Sequence, residues 1–261
     1  MLLGSPELAI IFAVVFAGGL VTGVTGLGYA IVATASLASL FEPQTAVVIV
    51  IIPILAANVS LIRELDRSGL VSCVRRFWSF VAAAAVGTVL GMIALSVIPA
   101  APLVLALGLF TLGYVAVAQP WVRLPGEAWV DEFCLTETHA RKGLLGVVSG
   151  AVFGASNVGV QVIAYLESLD LDHRTFVGVV AMIFLGVGIV RVGAAWLLGL
   201  YGSTALVGVS VAAALPGLVG VAVGKRFRDR IRPRVRDAVV FLLLAVIGAK
   251  LAADGATVLL G

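Results

Sequence analysis

Two glycine-rich stretches interrupt apolar sequence and carry small polar side chains. The first, residues 18–29, reads GGLVTGVTGLGY, and the second, residues 153–159, reads FGASNVG. A helix that starts inside a membrane presents unpaired N–H groups and a partial positive charge, which suit an anion. Hydroxyl and amide side chains can add hydrogen bonds. The candidate anion-binding residues are Thr25, Gly26, Gly28 and Tyr29 in the first stretch, and Ser156, Asn157, Gly159 and Gln161 at the second.

One arginine lies within an apolar segment, where ionised side chains are costly and by default indicate function. Arg191 could balance the charge of a bound anion, or it could extend to the membrane interface as a snorkelling side chain. The glycines also have a second interpretation. Gly146, Gly150 and Gly154 have the GxxxG spacing of close helix packing, as do Gly19 and Gly23.

The sequence contains no motif for hydrolytic or nucleotide chemistry. There is no GxSxG, HExxH or GKS/T pattern, and Cys73 and Cys134 have neither CxxC nor metal-ligand spacing. We therefore expect no enzyme, no cofactor and no metal site. A membrane thiol–disulfide carrier is disfavoured, because that chemistry needs two cysteines meeting across membrane segments and both lie in loop regions.

The composition identifies the class of protein that holds these residues. Hydrophobic residues make up 61% of the 261 residues and charged residues only 12%, against about 25% charged in soluble domains. Most charges fall in four windows, 63–76, 123–142, 167–174 and 225–237. The cationic run 225–236 is typical of a cytoplasmic loop rather than a nucleic-acid site. We predict an all-α integral membrane protein in a lipid bilayer, without a nucleic-acid partner.

Eight apolar segments lie between the charged windows. A polar stretch divides them four and four, giving a first transmembrane repeat at 1–122, a cytoplasmic connecting loop at 123–142 and a second repeat at 143–261. The segments are 7–41, 44–62, 77–98, 103–122, 143–169, 175–198, 203–223 and 238–260.

The two halves match each other at a nearly constant offset. Gly19 and Gly23 fall on Gly150 and Gly154 at an offset of 131, and residues 81–87 fall on 211–217 at an offset of 130. Pro102 and Phe110 fall on Pro233 and Phe241, again at 131. Several matches in order indicate an internal duplication, which is common in secondary transporters.

The positions of the cations predict how the two halves are oriented in the membrane. They place the loops 63–76, 123–142 and 225–236 inside. Three apolar segments separate the last two loops, so one segment must cross an even number of times. We predict that segments one and five are broken at their glycine-rich stretches into re-entrant hairpins of two half-helices. The repeats are then inverted, with both termini outside. The alternative is eight simple crossings with parallel halves.

The sequence also resembles a known family. The first-half stretch 18–62, with GGLVTGVTGLGY, and its second-half echo 146–178, with GVVSGAVFGASNVG, resemble the TauE/SafE sulfite exporter family over nearly the whole chain. The resemblance implies a multi-pass plasma-membrane permease for sulfite or another sulfur-containing or organic anion.

We expect a secondary transporter that binds its anion near the membrane midplane, between the two hairpin tips, and works by rocking of one repeat against the other. An anion channel-like pore and a non-transporting accessory subunit are the alternatives. The GxxxG spacings are also compatible with a homodimer.

Overall fold

The computed structural model describes residues 5–26, 28–63, 67–118, 139–157, 159, 162, 166, 173–228 and 233–260, and within these ranges the regular structure is helical. The chain is all-α, as predicted. The helices are α1 (Ser5–Thr25), α2 (Tyr29–Ala38), α3 (Pro43–Ile62), α4 (Arg67–Val97), α5 (Ala100–Ala118), α6 (His139–Ser156), α7 (His173–Leu197), α8 (Thr204–Phe227) and α9 (Pro233–Leu260).

Five helices among the described residues are long and apolar enough to cross a membrane: α1, α3, α4, α7 and α8. The chain is therefore an integral membrane protein by length and composition. The first apolar segment consists of α1 and α2, which are separated at Gly26–Gly28. However, α1 is 21 residues long and not the half-helix that we expected. Most of the connecting loop 123–142 lies outside the described residues, and α6 already begins at His139.

Helix α1 is continuous because its glycines lie against another helix instead of breaking the chain. A Cβ atom at Gly19 would lie 2.2 Å from the carbonyl oxygen of Gly217, and one at Gly23 would lie 2.3 Å from that of Val221. Residue numbers rise together along both helices, so α1 and α8 are parallel. Small residues at such a contact let two backbones approach closely, which stabilises helix pairs in membranes.

Helices α4 and α6 form a second close pair. A Cβ atom at Gly150 would lie 2.0 Å from the carbonyl oxygen of Ala84, and one at Gly154 would lie 2.5 Å from that of Thr88, so this pair is also parallel. The Thr88 hydroxyl donates to the Gly150 carbonyl at 3.2 Å across the same contact. The GxxxG spacings of α1 and α6 are thus used for packing within the chain.

Helices α5 and α9 form a third close pair, but they run in opposite directions. Gly108 faces Ala252, while Gly248 faces Leu112. The residue number rises along one helix as it falls along the other. The two helices are therefore antiparallel.

Helix α3 has the largest buried share of the five candidate spans and packs against α2, α7 and α8. Pro53 lies inside this helix and has no N–H to donate to the carbonyl of Ile49. The buried Ser210 hydroxyl of α8 donates to that carbonyl at 2.8 Å. At the start of α3, the Gln44 side chain donates to the Leu95 carbonyl near the end of α4 at 2.7 Å.

Three cations bond to carbonyls near the carboxyl ends of other helices. The Lys225 ammonium donates to the Ser60 carbonyl of α3 at 3.1 Å, and Arg228 Nε donates to the Gly23 carbonyl of α1 at 3.0 Å. Lys250 donates to the Ser39 carbonyl, just after α2, at 3.3 Å. Such positions favour cations, because the carboxyl end of a helix carries a partial negative charge.

The close pairs yield a stability prediction. A Cβ atom at Gly220 of α8 would lie 2.2 Å from the Phe16 carbonyl oxygen, whereas a Cβ atom at Gly208 of the same helix would meet nothing within 4 Å. We expect Gly220→Ala to destabilise the protein by about 1–3 kcal/mol through overpacking. The matched control Gly208→Ala is neutral or stabilising by up to about 1 kcal/mol, because alanine favours helix. Thermal unfolding in detergent measures both, and equal melting temperatures would contradict the close α1–α8 contact.

Candidate functional site

The turn after α6 holds Asn157 in the left-handed region of backbone space, at φ +62°. The Asn157 N–H donates to the Phe153 carbonyl at 2.9 Å, which is the bond that closes a left-handed helix end. Helix α1 ends in the same way, where the Gly26 N–H donates to the Thr22 carbonyl at 2.7 Å. Glycine and asparagine are the residues that adopt this conformation most readily. The two turns therefore share a backbone, but only the second carries a polar side chain.

The Asn157 side chain is fully buried and bonds to three helices. Its amide nitrogen donates to the Thr34 hydroxyl of α2 at 2.7 Å and to the Val47 carbonyl of α3 at 3.1 Å. Its amide oxygen accepts a hydrogen bond from Arg191 of α7. Asn157 is thus the point at which the end of α6 joins α2, α3 and α7.

Arg191 is 1% exposed, so its guanidinium lies inside the protein and does not snorkel to the interface. One terminal nitrogen donates to the Asn157 amide oxygen, and the other donates to the Gly154 carbonyl at 3.3 Å. The guanidinium carbon lies 4.8 Å from the centre of the Phe153 ring, a distance at which a cation is attracted to the ring face.

The charge of Arg191 is not neutralised by these partners. Its acceptors in the described part of the chain are an amide oxygen and a backbone carbonyl, and its Nε has no acceptor there. The Gly154 carbonyl belongs to the end of α6, where the helix dipole contributes a partial charge of roughly −0.5. This partial negative charge cancels only about half of the positive charge of the guanidinium. The described residues of the site therefore carry net positive charge, and the Nε of Arg191 has no acceptor among them.

Aromatic side chains close the site on the α6 side. The Phe153 and Phe184 rings stack with their centres 4.8 Å apart. A Cβ atom at Gly159 would lie 2.3 Å from the Phe184 ring, so a larger residue there would have to displace this ring. Asn157, Gly159 and Arg191 thus lie around one aromatic pair, in a region closed to solvent.

The residues predicted at the first turn lie elsewhere. Gly26 faces Val177 near the start of α7, and Gly28 precedes α2 at φ +96°. The Thr25 hydroxyl bonds to the Val21 carbonyl of its own helix at 2.9 Å. The Tyr29 ring is buried with its hydroxyl against Gly217 of α8.

Both turns contact α7, the first at Val177 and the second at Arg191, but these positions are 14 residues apart, roughly 21 Å along a helix, so the turns do not share one pocket among the described residues. Asn157 bonds to α2 at Thr34, six residues beyond Gly28, which corresponds to roughly 9 Å along a helix. The Ser156 hydroxyl bonds to the Val152 carbonyl of its own helix at 2.7 Å. Gln161 lies outside the described residues.

Sequence reasoning named both Asn157 and Arg191 but not the groups that hold them. Thr34 and Phe153 carry no charge and lie in apolar runs, and the Val47 and Gly154 partners are backbone carbonyls. Because every residue has a backbone carbonyl, the sequence does not indicate which carbonyls accept a hydrogen bond from a side chain. The one available clue was Phe153, one helical turn before Asn157 in the second glycine-rich stretch.

An apolar cavity lies apart from this site. It measures about 530 Å³ between α4 and α7, and its walls are apolar side chains such as Trp78, Ile189 and Val190. Trp78 and Ile189 are themselves about 60% exposed, as expected for side chains that face lipid. This groove has no polar group to orient an anion.

Comparison with known proteins supports the membrane interpretation. At a stringent threshold, the chain matches no curated protein and no solved structure. A family model described as "Sulfite exporter TauE/SafE" matches residues 11–251 of the chain. This match covers more than nine-tenths of the sequence and agrees with the resemblance found in the glycine-rich stretches. The chain therefore belongs to the TauE/SafE sulfite exporter family, a family of multi-pass membrane transporters of sulfur anions.

Proposed function

We propose that this protein is a secondary transporter of the plasma membrane for a small anion, sulfite or another sulfur-containing or organic anion, and that Arg191 binds the anion. The family supports the substrate class. The observation that carries the proposal is the buried guanidinium of Arg191, which has neutral hydrogen-bond partners in the described chain and an Nε without an acceptor.

Burying the charge of Arg191 has an energetic cost. Taking an ion out of water costs several kcal/mol even after the protein relaxes, and neutral partners recover only part of it. A bound anion would recover the rest through charge-assisted hydrogen bonds, which are about twice as strong as neutral ones. Arginine suits this role because its planar fork matches the oxygens of a small oxyanion.

Asn157 acts as a positioning residue in this proposal. Both of its amide hydrogens have acceptors, Thr34 and Val47, and its oxygen accepts from Arg191. Little of the amide is therefore left for the anion. Its role is to fix the guanidinium so that the unused Nε can bind substrate.

The inverted arrangement of the two halves is part of the same proposal. Under the sequence duplication, α5 corresponds to α9, α1 to α6, and α4 to α8. The equivalent helices α5 and α9 run antiparallel, as inversion requires. Replacing each helix of the pair α1–α8 by its counterpart in the other half gives the pair α6–α4. Both pairs are parallel, so the two halves repeat the same contact. We further propose that both termini lie outside and that 63–76 and 225–236 face the cytoplasm, in agreement with their cations.

The first test replaces the charge of Arg191. In proteoliposomes that hold the purified protein, we expect saturable uptake of labelled sulfite, blocked by one class of competing anion. Arg191→Gln keeps hydrogen-bond donors but removes the charge, so kcat/KM should fall by roughly 100-fold or more, since bonds to charged groups contribute about 1.5–3 kcal/mol each. Lys250→Gln is the matched control, because Lys250 is about half exposed and pairs with Asp254 at 2.8 Å. Its uptake should stay near wild type.

Three outcomes would oppose this proposal. Undiminished uptake by Arg191→Gln would remove Arg191 from the site. Flux that neither saturates nor shows counterflow would favour a channel-like pore. No flux of sulfite or of any competing anion would favour an accessory subunit.

The second test separates the turn from the amide at position 157. Asn157→Gly keeps the left-handed backbone at φ +62° and removes the side chain that orients Arg191. We expect a folded protein with uptake at least about ten-fold lower. Asn157→Leu, which strains the turn and leaves buried groups unpaired, should also reduce yield. Normal uptake by the folded Asn157→Gly variant would show that Arg191 needs no such support.

The third test concerns topology. In a variant lacking Cys73 and Cys134, a single cysteine at Thr204, exposed at the start of α8, should react with an impermeant thiol reagent from outside. A cysteine at Arg63, exposed at the end of α3, should react only after the membrane is permeabilised. Labelling of Thr204→Cys solely after permeabilisation would contradict the inverted arrangement.

A further inference from the structure

The short connection between α7 and α8 is built by its backbone into one defined shape. The Leu200 N–H donates to the Ala195 carbonyl at 2.9 Å and the Gly199 N–H to the Trp196 carbonyl at 3.1 Å, with Gly199 at φ +67°. These two bonds form the Schellman motif, which reverses the chain after a helix. Gly202, at φ +62°, and the N-cap Ser203 then start α8.

This reversal places Tyr201 beneath the end of α7 and not in the surrounding solvent. The side chain is 5% exposed and belongs to the same buried cluster as Val47, Ala194 and Ala195. Val47 supplies the carbonyl that accepts from Asn157, and Ala194 and Ala195 lie one helical turn beyond Arg191. Tyr201 is therefore next to the proposed site, on its α7–α8 loop side.

The Tyr201 hydroxyl is buried and has no hydrogen-bond partner in the described part of the chain. Buried hydroxyls are almost always paired, so an exception calls for an explanation. The phenol shares a buried cluster with Ala195, one helical turn beyond Arg191, so the charge of Arg191 acts on it. Burial raises the pKa of the phenol, with the Arg191 charge acting against it, so the group is protonated at neutral pH and can donate.

We infer that Tyr201 is a second substrate-binding residue, whose hydroxyl donates a hydrogen bond to the anion held by Arg191. This inference rests on the proposed function, because it needs an anion at Arg191. An oxyanion between the two side chains would satisfy both the hydroxyl and the unused Nε.

The test removes only the hydroxyl. Tyr201→Phe keeps the ring in its cluster, so the melting temperature without ligand should remain at or slightly above that of wild type. The KM for sulfite in proteoliposome uptake should rise about ten-fold or more, the effect expected for loss of one hydrogen bond to a charged ligand, while kcat changes by less than about two-fold. The sulfite-induced rise in melting temperature should shrink in parallel.

The control variant removes a buried hydroxyl that lies elsewhere. Thr111 of α5 is fully buried, and its hydroxyl bonds to the Leu107 carbonyl of the same helix at 2.7 Å. Thr111→Val should leave the KM for sulfite unchanged. An equal rise in KM for Thr111→Val and Tyr201→Phe would mean that any buried hydroxyl has this effect, and the inference would be wrong.

The remaining outcomes separate the two proposals. Wild-type KM and thermal shift in Tyr201→Phe, together with lost uptake in Arg191→Gln, would overturn the role of Tyr201 and leave the proposed function standing. If the wild-type protein shows no saturable anion uptake, or Arg191→Gln transports normally, the proposed function fails and the role of Tyr201 fails with it.

Discussion

The guanidinium of Arg191 is buried, away from both water and lipid. The surrounding helices must therefore supply the hydrogen-bond acceptors that water would otherwise provide. Both described acceptors of the guanidinium, the side-chain amide of Asn157 and the Gly154 carbonyl, lie at the end of α6, where the last backbone carbonyls have no intrahelical donor. The site therefore requires that α6 end at this point. A continuous helix through Asn157 would have consumed the Gly154 carbonyl and turned the amide away.

The two halves use one backbone turn for different purposes. Gly26 and Asn157 occupy equivalent positions and both have positive φ, yet only Asn157 contributes a side chain. The first turn packs against Val177 of α7, and the second bonds to the Val47 carbonyl of α3. The same backbone turn thus occurs twice, while the polar side-chain contacts of the described residues lie around the second turn. The candidate site therefore lies at the second turn and not between the two turns.

Much of the helical plan follows from composition, because apolar segments of fixed length have few alternatives in a membrane. Arg191 and Asn157 were identifiable for a related reason: a charge and an amide in apolar sequence are costly unless they are used. Their pairing was not predictable, since it depends on how α6 and α7 approach each other. The length of α1 was misjudged because Gly19 and Gly23 look like helix breakers until α8 is packed against them.

The contacts between the halves limit how such a transporter could move. The close pairs α1–α8 and α4–α6 each join one helix from either half, with glycines against backbone carbonyls. Rigid rocking of one whole repeat against the other would separate these surfaces and lose their close packing. Motion that keeps both pairs intact would instead shift α2, α3 and α7 relative to them. Asn157 joins those three helices to α6, so an anion bound at Arg191, as proposed, would act on the junction where such a motion would begin.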